Sequence, residues 1–486
     1  METMNIAIEG CCHGELDRIY ETMSLIERQH EMKIDLLICC GDFQAVRNLA
    51  DLQCMAVPPK YRQMQTFYKY YSGEKVAPVL TLFIGGNHEA SNHLWELSYG
   101  GWVAPNIFYL GRSGLVKFAG LRIGGLSGIY KPHDYNKGVY ESPPFDNSTC
   151  RSIYHVRSYD VFKLKLISGA VDIFLSHDWP RGVYHHGDSD KLLRQKSFLT
   201  QEVQSNSLGS PPAEELLHHM KPSYWFSAHL HVKFAAVVKH GVDVANEEER
   251  KETKFLALDK CLPRKDFLQV LSLPVRGEKK LEYDAEWLAI TNTTRPLLSL
   301  SRGYQSFPSE TSDEFQKYKA SIEDIKAVQE AFGGDLTIPQ NFSQIVPAYN
   351  PSARDHSQVA ACEHPQTTEF CRKLGIENPF RPENSSQIAM PSVTTSQCRN
   401  PDEITLSDDN DDEPENDQPT AEVLPADPNP DEIDLGSDES DTLDGGNGCN
   451  DGVSCREESE SKQPRLDSET EVKVAESCRD GSDGCS

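Results

Sequence analysis

The stretch NIAIEGCCHGELDRIY, residues 5–20, runs from a short apolar segment through Gly10 into Cys11, Cys12 and His13, and then into sequence with helical spacing. An apolar run of this length, bounded by glycine, reads as a buried strand. From Glu15 to Gln29 the residues Leu16, Ile19, Tyr20, Met23 and Ile26 fall on one stripe, which predicts a helix. Strand, polar loop and helix, followed by a second apolar run at Ile34–Cys40, give a βαβ-like opening and an α/β domain. A lone Cys-x-His is more often a buried thiol beside a solvated histidine than a ligand pair, so the rest of the chain has to decide the matter.

Four further apolar runs end in the same way. Ile34–Cys40 leads into Gly41-Asp42, Val79–Ile84 into Gly85-Gly86-Asn87-His88-Glu89, Val171–Ser176 into His177-Asp178, and Tyr224–Ala228 into His229-Leu230-His231. Each ending alone is weak, because Gly-Asp is usually a turn and His-x-His is often surface. In α/β folds, however, polar groups gather in the crevice beyond the carboxyl ends of the strands. Five such endings bring about eight ligand-capable side chains to one crevice, and this pattern predicts a two-metal site. His88, Glu89 and His93 do not form a zinc helix of the His-Glu-x-x-His type. Their histidines are five apart rather than four, which rotates them off a common helical face.

The bulk properties bound the rest. Among 486 residues there are 48 basic and 75 acidic side chains, a net charge of −27. Residues 391–486 hold 28 acidic and 6 basic residues, so −22 belongs to this end and only −5 to everything before it. That acidic stretch has no aromatic residue and cannot bury enough apolar surface to offset its ordering entropy; residues 386–486 are expected to be a disordered acidic tail. Within it Ser407 and Ser437 precede acidic residues, a pattern suited to an acidophilic kinase and equally to simple solubilisation. No apolar run approaches 18 residues, so no membrane-spanning helix and no membrane association are expected, nor does the start resemble a signal peptide. The 14 cysteines are scattered, four of them beyond Asn400, which fits a reducing intracellular compartment.

The series Cys11-x-His13, Gly41-Asp42, Gly86-Asn87-His88-Glu89, His177 and His229-x-His231 resembles the calcineurin-like metallophosphoesterases. It departs from their pattern at Cys11, where an aspartate is expected, and at Ala228, where the last motif has glycine. The Asp-Arg-Gly that protein phosphatases carry after the second motif is missing, since the run here is Gly-Asp-Phe-Gln-Ala-Val-Arg. With the neighbouring text GCCHGELDRIYET and LSGIYKPHDYNKGVYESPPF, residues 5–381 are similar to the RNA lariat debranching enzymes.

The resemblance implies a metallophosphoesterase β-sandwich flanked by helices over residues 1–240, with a smaller C-terminal debranching domain over 241–385. It implies two divalent metals sharing Asp42, the first held also by Cys11, His13 and His231, the second by Asn87, His177 and His229. Two metals ~3.5–4 Å apart can clamp a phosphodiester and activate water. The Cys11 thiolate is a soft donor that favours Fe(II) or Zn, with Mn possible, and Cys12 should point the other way. His88 is implied to lie over the phosphate as the catalytic proton or hydrogen-bond donor.

Residues 127–160 correspond to that family's lariat-recognition loop. Tyr130, Tyr135, Tyr140, Phe145, Tyr154 and Tyr159 are interleaved with Lys131, His133, Lys137, Arg151, His155 and Arg157. Rings with cations between them suit unpaired RNA, although some of these rings will pack onto the sheet. Tyr130, Lys131, His133, Tyr135 and Tyr140 are the candidate RNA contacts.

Beyond residue 240, KFLALDK and DFLQVLSL are strand-like, and 312–331 predicts one helix. The expected activity is metal-dependent hydrolysis of the 2′-5′ phosphodiester bond of excised intron lariats, in the nucleus, with splicing or intron-turnover factors as partners of the tail. The alternatives are a metallophosphoesterase acting on another phosphoester, as a nuclease or phosphatase, and a non-catalytic RNA-binding scaffold. The full ligand set argues against the scaffold, and the missing Asp-Arg-Gly against a protein phosphatase.

Overall fold

The computed structural model describes residues 2–57, 62–241, 251–352 and 362–381. The acidic tail expected over 386–486, with Ser407 and Ser437, lies outside the described residues.

Among the described residues, thirteen short strands form two sheets. The first contains β1 (Thr3–Glu9), β2 (Leu36–Cys39), β3 (Leu80–Phe83), β4 (Gly101–Ala104), β5 (Ile107–Tyr109) and β12 (Leu268–Pro274), in the order β12-β1-β2-β3-β5-β4. The second contains β6 (Ser113–Phe118), β7 (Leu121–Leu126), β8 (Ile173–Ser176), β9 (Tyr224–Ser227), β10 (Phe234–His240), β11 (Lys251–Ala257) and β13 (Leu281–Tyr283), in the order β10-β11-β9-β8-β7-β6-β13. In the first sheet β1, β2, β3 and β5 are parallel; in the second β7, β8, β9 and β11 are parallel. Antiparallel strands close the edges of both sheets.

The alternation of side chains explains the layers. Ile6, Ile8, Leu36 and Ile38 from the first sheet meet Ile123, Ile173, Leu175 and Phe226 from the second in one core between them. Ala7, Leu37 and Cys39, one residue out of phase, face the helix Leu16–His30 through Leu16, Ile19, Tyr20 and Met23. On the far side of the second sheet, Phe174 and Trp225 pack against Leu164 of the helix Ser158–Lys165 and Leu216 of the helix Pro211–Met220. The result is a sandwich with helices on both outer faces.

The two strand-like runs beyond residue 240 extend the sheets. KFLALDK enters β11 beside β9, and DFLQVLSL becomes β12, paired antiparallel with β1 over its whole length. Residues 312–331 do not form the single expected helix. They form Asp313–Gln316 and Ile322–Ala331, because Ser321 starts a new helix with a reciprocal capping box to Asp324. No helix among the described residues is long and apolar enough to cross a membrane.

Candidate metal centre

All five strand endings meet at one place, and the backbone there is unusual. His13, Asp42, His229 and His231 have φ of 46°, 46°, 67° and 46°, the left-handed region that non-glycine residues seldom occupy. Conformations of this kind persist only where the surroundings impose them, and they concentrate at functional sites. No spacing rule announces them in a sequence. The glycine at 86 answers a close approach, since a Cβ there would lie 2.2 Å from Asp42 Oδ1 and 2.7 Å from His177 Nε2.

Cys11, His13, Asp42 and His231 present one ligand atom each, all within 4.8 Å of one another. The Nε2 atoms of His13 and His231 are 3.5 Å apart, and His13 Nε2 lies 3.9 Å from Asp42 Oδ2. The other carboxylate oxygen faces elsewhere: Asp42 Oδ1 is 3.2 Å from His177 Nε2, and Asn87 Oδ1 is also 3.2 Å from that nitrogen. The ring of His229 lies beside that of His177, with centroids 5.0 Å apart. The two oxygens of Asp42 therefore turn toward two different sets of side chains.

The donors fit a cation. His177 Nδ1 lies 2.9 Å from the Cys40 carbonyl and must donate to it; burial would lower this histidine, but Asp42 beside it raises it, and in the neutral ring Nε2 is a lone pair facing two oxygens. Such a convergence of acceptors needs a positive charge among them. Burial lowers His13 and His229 to about 3 and His231 well below the ordinary histidine value, so these rings are neutral and available as ligands. Burial alone would raise Asp42, but the surrounding His177, His88 and His13 hold it well below the usual carboxylate range. Burial and the Asp42 charge push the Cys11 thiol up, while the His229 N–H points at Sγ from 3.3 Å. A bound cation reverses that balance and favours thiolate. Cys12 does point away, into the core against the helix Leu16–His30.

His88 sits at the rim of this constellation. Its backbone N–H donates to Asp42 Oδ1 at 2.8 Å, and its ring is edge-on to His13 with centroids 5.2 Å apart. Ala228, the departure from the family motif, is fully buried among the side chains between the sheets. His93 takes no part: its Nδ1 lies 2.9 Å from the Ala45 carbonyl in the core.

Glu89 was visible in the sequence motif without an assigned role. Its carboxylate accepts the N–H groups of Phe43, Gln44 and Gly86 at 2.8, 2.9 and 2.9 Å, tying the Asp42 loop to the Asn87-His88 loop. Glu89→Ala strands three buried N–H groups at ~1–3 kcal/mol each, so a loss of at least ~3 kcal/mol is expected in urea unfolding. A loss below ~1 kcal/mol would show that the clamp is dispensable. The segment after β11 is a second support: Cys11 N–H donates to Asp259 O, and Cys261 N–H to Cys11 O.

The loop 127–160 divides into core and surface. Phe145, Tyr154, Tyr159, His155 and Arg157 are buried, so those aromatics and cations pack the protein and are not open to RNA. Tyr130, Lys131, Tyr135 and Tyr140 are half-buried and His133 is exposed. The Tyr130 N–H reaches Asp178, next to His177, at 3.4 Å, and its ring meets that of Tyr135 at 5.4 Å. Tyr140 lies under two guanidiniums, Arg302 at 4.7 Å and Arg157 at 5.7 Å.

The calcineurin-like phosphoesterase family model matches residues 4–233, and the lariat debranching enzyme C-terminal domain model matches residues 250–379. Among curated relatives, the lariat debranching enzyme of Danio rerio is 52% identical over 454 residues, 92% of this chain and 79% of the relative. That of Homo sapiens is 58% identical over 377 residues, 77% of this chain and 69% of the relative. That of Arabidopsis thaliana is 50% identical over 379 residues, 77% of this chain and 86% of the relative.

Proposed function

The chain belongs to the lariat debranching enzymes of the calcineurin-like phosphoesterases, and from that premise we propose how its residues divide the work. It is a metal-dependent hydrolase of the 2′-5′ phosphodiester bond in lariat RNA. Two divalent ions would be held here, one by Asp42 with Cys11, His13 and His231, the other by Asp42 with Asn87, His177 and His229. The observation that carries this assignment is the turning of Asp42 Oδ2 toward His13 and Oδ1 toward His177. When bound, the two ions supply Lewis-acid polarisation of the phosphate and a more acidic water.

The protein's own groups do the rest. His88, held beside the shared carboxylate by its backbone, faces the phosphate and protonates the departing 2′-oxygen as water adds to phosphorus. Tyr130, Lys131, His133, Tyr135 and Tyr140 hold the branch, because three strands meet at that nucleotide and only one bond is to be cut. A branched RNA labelled on each arm tests this reading. The expected products are a linear RNA with a free 2′-hydroxyl and a released strand with a 5′-phosphate, every 3′-5′ bond intact, with cleavage lost in a chelator. Binding without cleavage would favour the scaffold reading, and cuts at 3′-5′ bonds a different nuclease.

The soft Cys11 donor favours Fe(II) or Zn at its position, with Mn as a weaker substitute. Cys11→Asp should keep metal and shift the activity preference toward Mn, whereas Cys11→Ser should be worse than Cys11→Asp with Mn. Activity and metal content across an Fe(II), Zn and Mn series check this; a Cys11→Ser enzyme with parental preference would contradict it. The lariat substrate supports a proposed location in the nucleus, with splicing or intron-turnover factors as proposed partners of the acidic residues 386–486.

A further inference from the structure

The recognition loop is not alone on its surface. Residues 299–305 run alongside it: Val139 N–H donates to Ser299 O at 2.8 Å, Gly138 N–H to Ser301 O at 3.0 Å, and Gln305 N–H to Asn136 O at 2.6 Å. Lys137 and Tyr304 are opposite each other in an antiparallel bridge. Directly opposed residues in such a pair put their side chains on one face, a few ångströms apart. Tyr304 is 76% exposed, more than any other large hydrophobic side chain among the described residues. A ring left in water beside a strand pairing has no packing reason to be there.

The surroundings say what would cover it. Segment 299–305 carries Arg302 and no acid. In the facing residues 130–140 the cations are Lys131 and Lys137, and the one acid, Asp134, is buried and meets both Lys137 at 2.9 Å and His155 at 2.6 Å. The surface is therefore aromatic and cationic. The loop that segment 299–305 pairs with also borders the metal centre: the Tyr130 N–H reaches Asp178, next to His177, and the Tyr130 ring meets that of Tyr135. Unpaired nucleotides have both features to match, a base to stack and a phosphate to meet.

We propose that Tyr304, with Lys137 beside it, is a stacking platform for an unpaired base in one of the three arms at the RNA branch, so that the C-terminal region completes the recognition surface. The inference rests on the lariat reading above. Its test is the binding of a short three-armed RNA containing a 2′-5′ bond, measured in chelator so that nothing is cut, together with three versions that each lack one arm. Tyr304→Ala should raise Kd about tenfold on the full RNA, in the range of a lost base stack. Tyr304→Phe should bind like the parent. On one of the truncated RNAs the difference between parent and Tyr304→Ala should vanish, which identifies the arm. An unchanged Kd for Tyr304→Ala, an equal loss in Tyr304→Phe, or a loss that persists on all three truncated RNAs overturns the proposal. Failure of the parent to cleave the same RNA when metal is restored would sink the assigned activity while leaving the Tyr304 result readable.

Discussion

Asp42→Ala should abolish hydrolysis of branched RNA and lower the metal content at both positions while the protein stays folded. The expectation follows from the way the carboxylate is used. Its Oδ1 meets His177 and the His88 N–H, and its Oδ2 turns to His13. Removing it takes one donor from each ligand set at once and frees His88 from its backbone anchor. Burial keeps His13, His229 and His231 neutral, so none of these rings replaces the lost charge. The fold should survive, because the sandwich core is made by other residues of the strands. Metal analysis and turnover on branched RNA check the result. Near-parental turnover, or loss of only one metal, would remove the shared-carboxylate account.

The second large effect is expected at His88, and it has a different signature. His88→Ala should lower turnover by ~10²–10⁴-fold, the usual range for a positioned acid or base, with both metals retained. The backbone N–H that anchors Asp42 is still present in alanine, so the shared carboxylate should hold its place. Loss of metal together with activity would make His88 a ligand and not a proton donor.

Much of the candidate site's convergence was legible because strands that end in ligand-capable side chains leave a repeated mark: an apolar run, often a glycine, then Cys, His, Asp or Asn. The opposite facing of Cys11 and Cys12 follows from the two-residue period of extended chain. What was not legible lies in long-range pairings. Glu89 is tied to N–H groups of Phe43 and Gln44, and backbone donors carry no side-chain signal. The four left-handed residues of the candidate site are three histidines and an aspartate, types that tolerate this region better than most yet seldom enough that no sequence rule marks the positions. Within residues 127–160, Tyr154 and Tyr130 look alike in a sequence, yet one is core and the other is half-open beside Asp178. The pairing of 136–139 with 299–305 joins segments about 160 residues apart, beyond any local pattern. The break at Ser321 is different, since Ser321-Ile322-Glu323-Asp324 is itself a local capping-box pattern.

The central claim is that seven side chains from five strand ends hold two divalent ions around one carboxylate. Anomalous diffraction from crystals of protein purified without added metal, collected at the iron and zinc edges, tests it most directly. The account predicts two peaks, one on each side of Asp42, with Cys11 Sγ coordinating the ion on the His13 side. A single peak, or two peaks of which neither is ligated by Cys11, would contradict it.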